Sequence, residues 1–310
     1  MPNAPLHFGI TLDPLPHSPR IHMSALTLPG SLVSTLWLFK HLKQSSLKVV
    51  DASTYLPNAA RNAKDEFLMA HIPGAVFADI GWLSDSAAPF PHTLLPENVF
   101  AERIGSLGIS NSDAVVVYDG SGQNFSAPRL WWMLKVFGHT NVAVLDGGIR
   151  KWTADGYSVD ANLPDTTPAK FVAKLDATRL RNVSDVRANI NSKREQTVDA
   201  RSAGRFEGTE PEPRPGVRGG HIPGSANIHY ASLVRDDGTL RSEDEVRAIV
   251  TRAGLDTALP IVASCGTGLT ACAVVLALDT IGVHDVAVYD GSWTEWGSLP
   301  DLPFATGPAR

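Results

Sequence analysis

Two cysteines in 310 residues are too few for a disulfide framework, and Cys265 and Cys272 do not have the spacing of a zinc cluster. A chain this poor in cysteine is expected to work in a reducing compartment. No apolar run approaches the length of a bilayer span; the stretch after Cys265 is interrupted by Asp279 and reads as a buried helix. Positive charge is short as well. With a formal net charge of -5 and a pI near 6.0, nothing draws the whole molecule to nucleic acid or to an anionic membrane surface. The stretch Met1 to His22 lacks the arginine-rich amphipathic pattern of a mitochondrial presequence, being rich in proline with Arg20 as its only basic residue besides histidines. Residues 1–23 are expected to form a flexible N-terminal extension. What is present in quantity is apolar side chain, 43% of the whole, enough to pack two domains of ordinary size.

From Ser24 onward, helical segments alternate with short β-branched runs. Lys48 to Ala52, Ala114 to Asp119 and Asn141 to Asp146 read as buried strands, and Glu97 to Leu107 and Ala127 to Phe137 as amphipathic helices. This is α/β organisation with a parallel sheet, and the strands end in Asp or Gly turns, the edge where open α/β sheets place ligands. The second half repeats the first. VVDAS at 49–53 returns as TVDARS at 197–202, HIPGA at 71–75 as HIPGSA at 221–226, and VAVLDGGIRKW at 142–152 as VAVYDGSWTEW at 286–296. Matches in the same order at a nearly constant offset mark a duplicated domain. The expected layout is a first domain over 24–156, a linker over 157–177 without clear period, and a second domain over 178–310. In the second copy Ser242 to Glu245 forms a capping-box pattern that opens a helix running to about Arg252.

In that second copy, Pro260 to Ala263 reads as a strand that delivers Cys265 to a loop of small residues, Gly266, Thr267 and Gly268, at the mouth of an apolar helix. Glycines let successive N–H groups turn towards the sulfur and the helix N-terminus adds positive partial charge, so the loop suits a thiolate. The competing reading of Cys265 is an inert packed thiol, the role expected for Cys272. Laying AVVVYDG over IVASCG puts Asp119 opposite Cys265. A carboxylate cannot replace a sulfur nucleophile, so the second domain is expected to be the active one, the first a structural or binding partner, and the groove between them the substrate site.

The two-copy layout, HIPG in both halves, CGTGLTAC after a strand, GRFEGTEPEPR and DGSWTEW together resemble the tandem-domain rhodanese superfamily, over nearly everything from Ser24 to about Pro300. Within it, the chain is most similar to the 3-mercaptopyruvate sulfurtransferases. The resemblance implies two tandem rhodanese-like domains, each a small parallel sheet flanked by helices, with the C-terminal one catalytic. It implies transfer of sulfur from a small-molecule donor, through a persulfide on Cys265, to a thiol, thioredoxin or cyanide acceptor, with no metal or organic cofactor, in the cytoplasm or the mitochondrion. Thiosulfate-using members look like C-R-K-G-V-T-A and mercaptopyruvate users like C-G-S-G-V-T-A. The run from Cys265 to Ala271, CGTGLTA, has neither cation and keeps a hydroxyl at Thr267. Rhodanese-like phosphatases need an arginine after the loop, where this chain has Ala271 and Cys272.

The resemblance also assigns residues. Arg205 and Arg214 match the positions implied to bind the donor's carboxylate and carbonyl, groups that call for cationic donors of fixed geometry; Gly266, Gly268, Leu269 and Thr270 are expected to contact the donor, and Arg218 to be structural. Thr267 and His92 match the serine and histidine of a proton relay whose acid position holds Gly81 here; His92 reads equally as a hydrogen-bonded structural residue. His71 and His221 read as structural, Trp293 and Trp296 as walls of the pocket, and Trp131 and Trp132 as core or interdomain packing. Two alternatives stand beside this reading: a thiosulfate:cyanide sulfurtransferase, and a sulfur-relay or binding module acting with a partner protein.

Overall fold

A computed structural model describes the chain except for residues 2–25, 57–58 and 310. The expectation for residues 1–23 therefore falls, Met1 aside, outside the described residues. The first half folds around five parallel strands in the spatial order β1 (Leu32–Val33), β5 (Val142–Leu145), β4 (Ala114–Tyr118), β2 (Leu47–Asp51), β3 (Val76–Phe77). The second half repeats it as β6 (Leu180–Arg181), β10 (Val286–Tyr289), β9 (Ile261–Ser264), β7 (Gln196–Asp199), β8 (Ala226–Asn227). Two small parallel sheets flanked by helices were expected, and two are found. Every residue of β4 and β9 is buried, because helices cover both faces of each sheet; that is why these strands read as continuous apolar runs.

The helix α4 (Ala127–Val136) was expected to be amphipathic, but all of it except Lys135 is buried. Its counterpart α9 (Ala271–Thr280) is buried except at its last two residues. The reason is that the two helices pack against each other. Trp131, Trp132 and Met133 from one domain join Val274 and Leu278 from the other in a single apolar cluster. A helix that is apolar all round belongs in a core, and here the domain boundary is one. Lys135 closes the seam from the edge, its ammonium over the Trp131 ring and paired with Asp279 at 3.1 Å.

The unpatterned linker is fastened to the first domain: Asp160 and His71 exchange backbone hydrogen bonds, and Phe171 is buried edge-on to Phe100. His71 and His221 play the same structural part in both copies. Each stacks on a phenylalanine, Phe67 or Phe206, and its Nδ1 bonds that residue's carbonyl, at 2.7 and 2.8 Å. The helix α8 (Glu243–Arg252) opens on the expected capping box between Ser242 and Glu245. Among the described residues no helix is long and apolar enough to cross a membrane.

The copies differ where β2 and β7 end. Asp199 is buried against Arg201, which reaches it with Nη2 at 2.6 Å. Asp51, equally buried, has Ser53 where Asp199 has its arginine, and accepts only the Ser53 N–H and neighbouring hydroxyls. Burial pushes its carboxyl up from 3.8 to about 6. Below about pH 4 the group is protonated in folded and unfolded chains alike and costs nothing; above about pH 6 the folded state carries the whole penalty of the buried charge. Asp51→Asn is therefore expected to stabilise the protein by about 1–3 kcal/mol at pH 7.5 and by much less at pH 4. Urea midpoints at the two pH values check this; equal effects at both would show that ionisation of Asp51 is not the cause.

Candidate active site

The residue after β9 is Cys265, its side chain 1% exposed. Its backbone is held from the turn after β10: the Cys265 N–H donates to Ser292 Oγ at 3.2 Å, and the N–H groups of Trp293 and Thr294 donate to the carbonyls of Cys265 and Gly266 at 3.0 and 2.9 Å. Five successive amides, Gly266 to Thr270, then run to the start of α9, and none finds an acceptor among the described residues. At the same place in the first sheet, the carboxylate of Asp119 takes the N–H groups of Ser121, Ser126 and Ala127 at 2.9 Å each, and the Ser121 hydroxyl at 2.6 Å. The equivalence is fixed by the sheets, since Ala52 N–H bonds Tyr118 O before Asp119 as Ala200 N–H bonds Ser264 O before Cys265. One turn carries its own anion; the other presents a thiol.

Cys265 opens onto a cavity of about 340 Å³ between the domains, lined by Thr54 to Leu56 and His92 from the first and by Arg205, Arg214 and the loop from the second. Larger depressions on the surface contain no cysteine. The structure brings Cys265, Thr267, His92, Arg205, Arg214, Gly266, Leu269 and Thr270 to this cavity. Gly268 is not among its lining residues: it sits behind the loop with φ +74°, where a Cβ would lie 2.8 Å from Asp290 O. Trp293 and Trp296 do not wall the cavity either. Both are buried in the core of the second domain, where their indole N–H groups donate to Arg218 O and Pro303 O. Arg218 fastens the C-terminal segment through the carbonyls of Leu299 and Leu302.

The electrostatics of the cavity rest on a residue that sequence reasoning passed over. Glu212, a carboxylate 3% exposed, accepts from Arg205 Nη2 at 2.6 Å and from Arg201 Nη1 at 2.7 Å. Its signal was present, inside the GRFEGTEPEPR run, but the arginines on either side drew the attention. Arg214 has no carboxylate partner among the described residues, and burial together with the Arg205 charge holds its pKa below the usual arginine range. His92 Nδ1 lies 2.7 Å from Thr267 Oγ1. Burial, reinforced by Arg129 and Arg214, pulls the imidazole down to about 4, so it is neutral at physiological pH. Tyr230 closes one side by donating to Gln123 Oε1 of the other domain at 3.0 Å.

A pattern describing the rhodanese-like domain matches residues 34–155 and again 182–299. The chain belongs to the rhodanese family. The rat (Rattus norvegicus) 3-mercaptopyruvate sulfurtransferase is 45% identical over 279 residues, covering 88% of this chain and 94% of the rat protein. A thiosulfate sulfurtransferase of Cricetulus griseus is 46% identical over 272 residues, covering 86% of this chain and 91% of its own length. Among solved structures, SseA from Escherichia coli, described with the 3-mercaptopyruvate sulfotransferases, superposes with a TM-score of 0.78 at 38% identity over 85% of this chain and 99% of that one. Both sheets described above are rhodanese domains.

Glu212→Gln leaves Arg205 without an anion and the almost fully buried Arg201 with Asp199 alone. It is expected to cost about 2–4 kcal/mol in urea unfolding at pH 7. Arg205→Gln should cost about 1 kcal/mol, because Arg205 is 26% exposed and Glu212 keeps Arg201. A smaller loss for Glu212→Gln than for Arg205→Gln would contradict the assignment of Glu212 as the shared anchor.

Proposed function

We propose that the protein moves sulfane sulfur from 3-mercaptopyruvate, through a persulfide on Cys265, to a thiol acceptor. The observation that carries this reading is a buried thiol beside five amides without an acceptor among the described residues, opening on a cavity lined by Arg205 and Arg214, and by Arg201 paired with Asp199 and Glu212, with no cation on the loop itself. A thiosulfate dianion has no use for a carbonyl-binding arginine; an α-keto carboxylate uses two cations, one for each of its oxygen groups. Arg214 takes the donor carboxylate, and Arg205, held by Glu212, polarises the adjacent carbonyl.

In the first step the Cys265 thiolate attacks the donor's sulfur. An S–S bond forms, the C–S bond breaks, and its electron pair passes into the polarised carbonyl to give the pyruvate enolate, which is then protonated. The donor's thiol proton goes to Thr267 Oγ1, whose own proton passes to His92 Nδ1. The loop amides shelter the persulfide. An acceptor thiolate, from a small thiol or thioredoxin, or cyanide, then takes the outer sulfur and releases the Cys265 thiolate. This chemistry needs a reduced cysteine, which fits a cytoplasmic or mitochondrial location.

Intact mass after exposure to 3-mercaptopyruvate is expected to rise by one sulfur, about 32 Da, and the gain should vanish in Cys265→Ala. kcat/KM for 3-mercaptopyruvate should exceed that for thiosulfate at least about tenfold, since neither Gly266 nor Thr267 supplies a cation; the reverse order would make thiosulfate the donor. A persulfide formed only from a protein donor would instead indicate a relay. The neutral imidazole leads to a further expectation: the pH–rate profile should show no limb from His92 between pH 5.5 and 7.5. His92→Asn should lower kcat by about 10², the low end for acid–base assistance. An acid limb near pH 6.5 that disappears in this variant would sink the neutral-histidine assignment.

A further inference from the structure

Arg129 belongs to α4 of the first domain, yet its guanidinium serves the second. It is fully buried. Nη1 donates to Gly268 O at 3.1 Å; Nη2 donates to Asp290 Oδ1 at 2.7 Å and to His92 O at 2.5 Å. Asp290 Oδ2 in turn accepts the Leu94 N–H at 2.8 Å, and the Trp132 ring lies 4.7 Å below the guanidinium carbon. One cation thus ties together the cysteine loop, the turn after β10 and the segment that carries His92. Removal of such a group from water is costly, and three acceptors from two domains converge on it.

The contact with Gly268 bears directly on the sulfur. Gly268 O accepts a second bond, from Cys272 Sγ at 3.3 Å. A peptide unit is planar and trans, so a carbonyl held on one side sends the following N–H, that of Leu269, to the other. Leu269 N–H is one of the five acceptorless amides beside Cys265. A full positive charge on the carbonyl also polarises the peptide and strengthens its N–H as a donor. Gly268 has no side chain to obstruct the approach; a Cβ there would sit 3.1 Å from Arg129 Nη1.

We propose that Arg129 is a positioning residue for the sulfur site, holding the Gly268–Leu269 peptide from across the domain boundary so that its N–H faces the Cys265 sulfur and favours the anion. This role rests on the reading of Cys265 as the sulfur nucleophile, and the thiolate itself, which forms with or without turnover, reports on it. The other charged groups around Cys265 are Arg201, Arg205 and Arg214 at the cavity, Glu212, which pairs with the first two, and Asp290; Tyr55, His92, His229, Tyr230 and the buried Cys272 are the titratable neighbours.

The test is the pH dependence of Cys265 alkylation by iodoacetamide, assigned to Cys265 by peptide mass, in the wild type, Arg129→Met, Asp290→Asn and Lys135→Met. Arg129→Met should move the thiolate titration up by about one pH unit, slow alkylation at pH 7 about tenfold, and lower kcat at least tenfold with KM changed less than threefold. Asp290→Asn keeps an acceptor for Leu94 N–H and leaves the Arg129 charge uncompensated, so it should move the titration the opposite way. Lys135→Met breaks the other interdomain ion pair and should lower stability without moving the titration. Shifts in the same direction for Arg129→Met and Asp290→Asn, or an equal shift in Lys135→Met, would reduce Arg129 to interface packing. If Arg129→Met does not fold, the sign of the Asp290→Asn shift decides: downward supports the role, upward or none overturns it. A thiolate that responds to Arg129 in a protein that forms no persulfide would leave this role standing and remove the sulfur-transfer reading.

Discussion

Peptide amides gathered where a strand turns into a helix demand a negative partner, and the two halves of this chain meet that demand differently. In the first, the Asp119 carboxylate takes three amides and a hydroxyl. The turn is finished and inert. In the second, the same place holds a thiol that is neutral until it ionises, and the amides of residues 266–270 stay without an acceptor. In the reaction proposed above, their interaction is kept for the charged sulfur instead of being spent on the resting fold. Interactions made only in the reacting state are the ones that accelerate a reaction. The duplicated fold sets two uses of one geometry side by side, since the residue type after β4 or β9 separates a turn that carries its own anion from one that presents a thiol.

The same divergence runs through the contact between the halves. Both α4 and α9 begin with alanine at their first helical position, and laying one on the other sets Arg129 opposite Ala273. Across the interface α4 reaches the other copy's loop through Arg129. The first half contributes the cation and the second the thiol, while the reverse pair is alanine and aspartate. At the ends of β2 and β7 the trade is repeated: Arg201 stands where the first half has Ser53, and with Glu212 it builds the anchor for Arg205. Because the interface is a shared apolar core rather than a wet contact, hinge motion between the domains is not the default expectation. The half that carries Cys265 therefore shares the lining of its cavity with the other, which supplies His92.

Much of this was legible in the sequence. The repeat, the inner strands, the cysteine loop and the two arginines followed from periodicity, offset and the family resemblance. The outer strands were not, because two residues leave no periodic trace. The α4 helix was misjudged because a one-dimensional pattern cannot show that a second domain covers its other face. Arg129 carried no local signal at all: a single arginine in APRLWW is a surface residue by default, and only the tertiary fold brings it to Gly268. Trp293 and Trp296 were placed at the pocket because they follow the active strand closely, but the turn after β10 directs them into the core. Sequence proximity to a site says little about which side of the backbone a side chain leaves from.

Gly81 stands where the resemblance places an acid, and the structure gives its absence a physical setting. Asp79 accepts the Gly81 and Trp82 N–H groups at 2.7 and 3.3 Å and shapes that turn locally; among the described residues no carboxylate bonds His92. A carboxylate beside His92 would stabilise an imidazolium, whereas burial, Arg129 and Arg214 all favour the neutral ring. A histidine that stays neutral cannot lower the thiol's pKa by ion pairing, as the histidine of a cysteine protease does. The groups left to favour a charged sulfur in the proposed reaction are the loop amides and the arginines of the cavity. In the proposed reaction Thr267 and His92 then form a hydrogen-bonded path for a proton, with His92 neutral at rest and charged only while it holds that proton. In the proposed reaction a standing imidazolium would compete with Arg205 and Arg214 for the donor's carboxylate, and a ring that is neutral at rest leaves that carboxylate to the arginines.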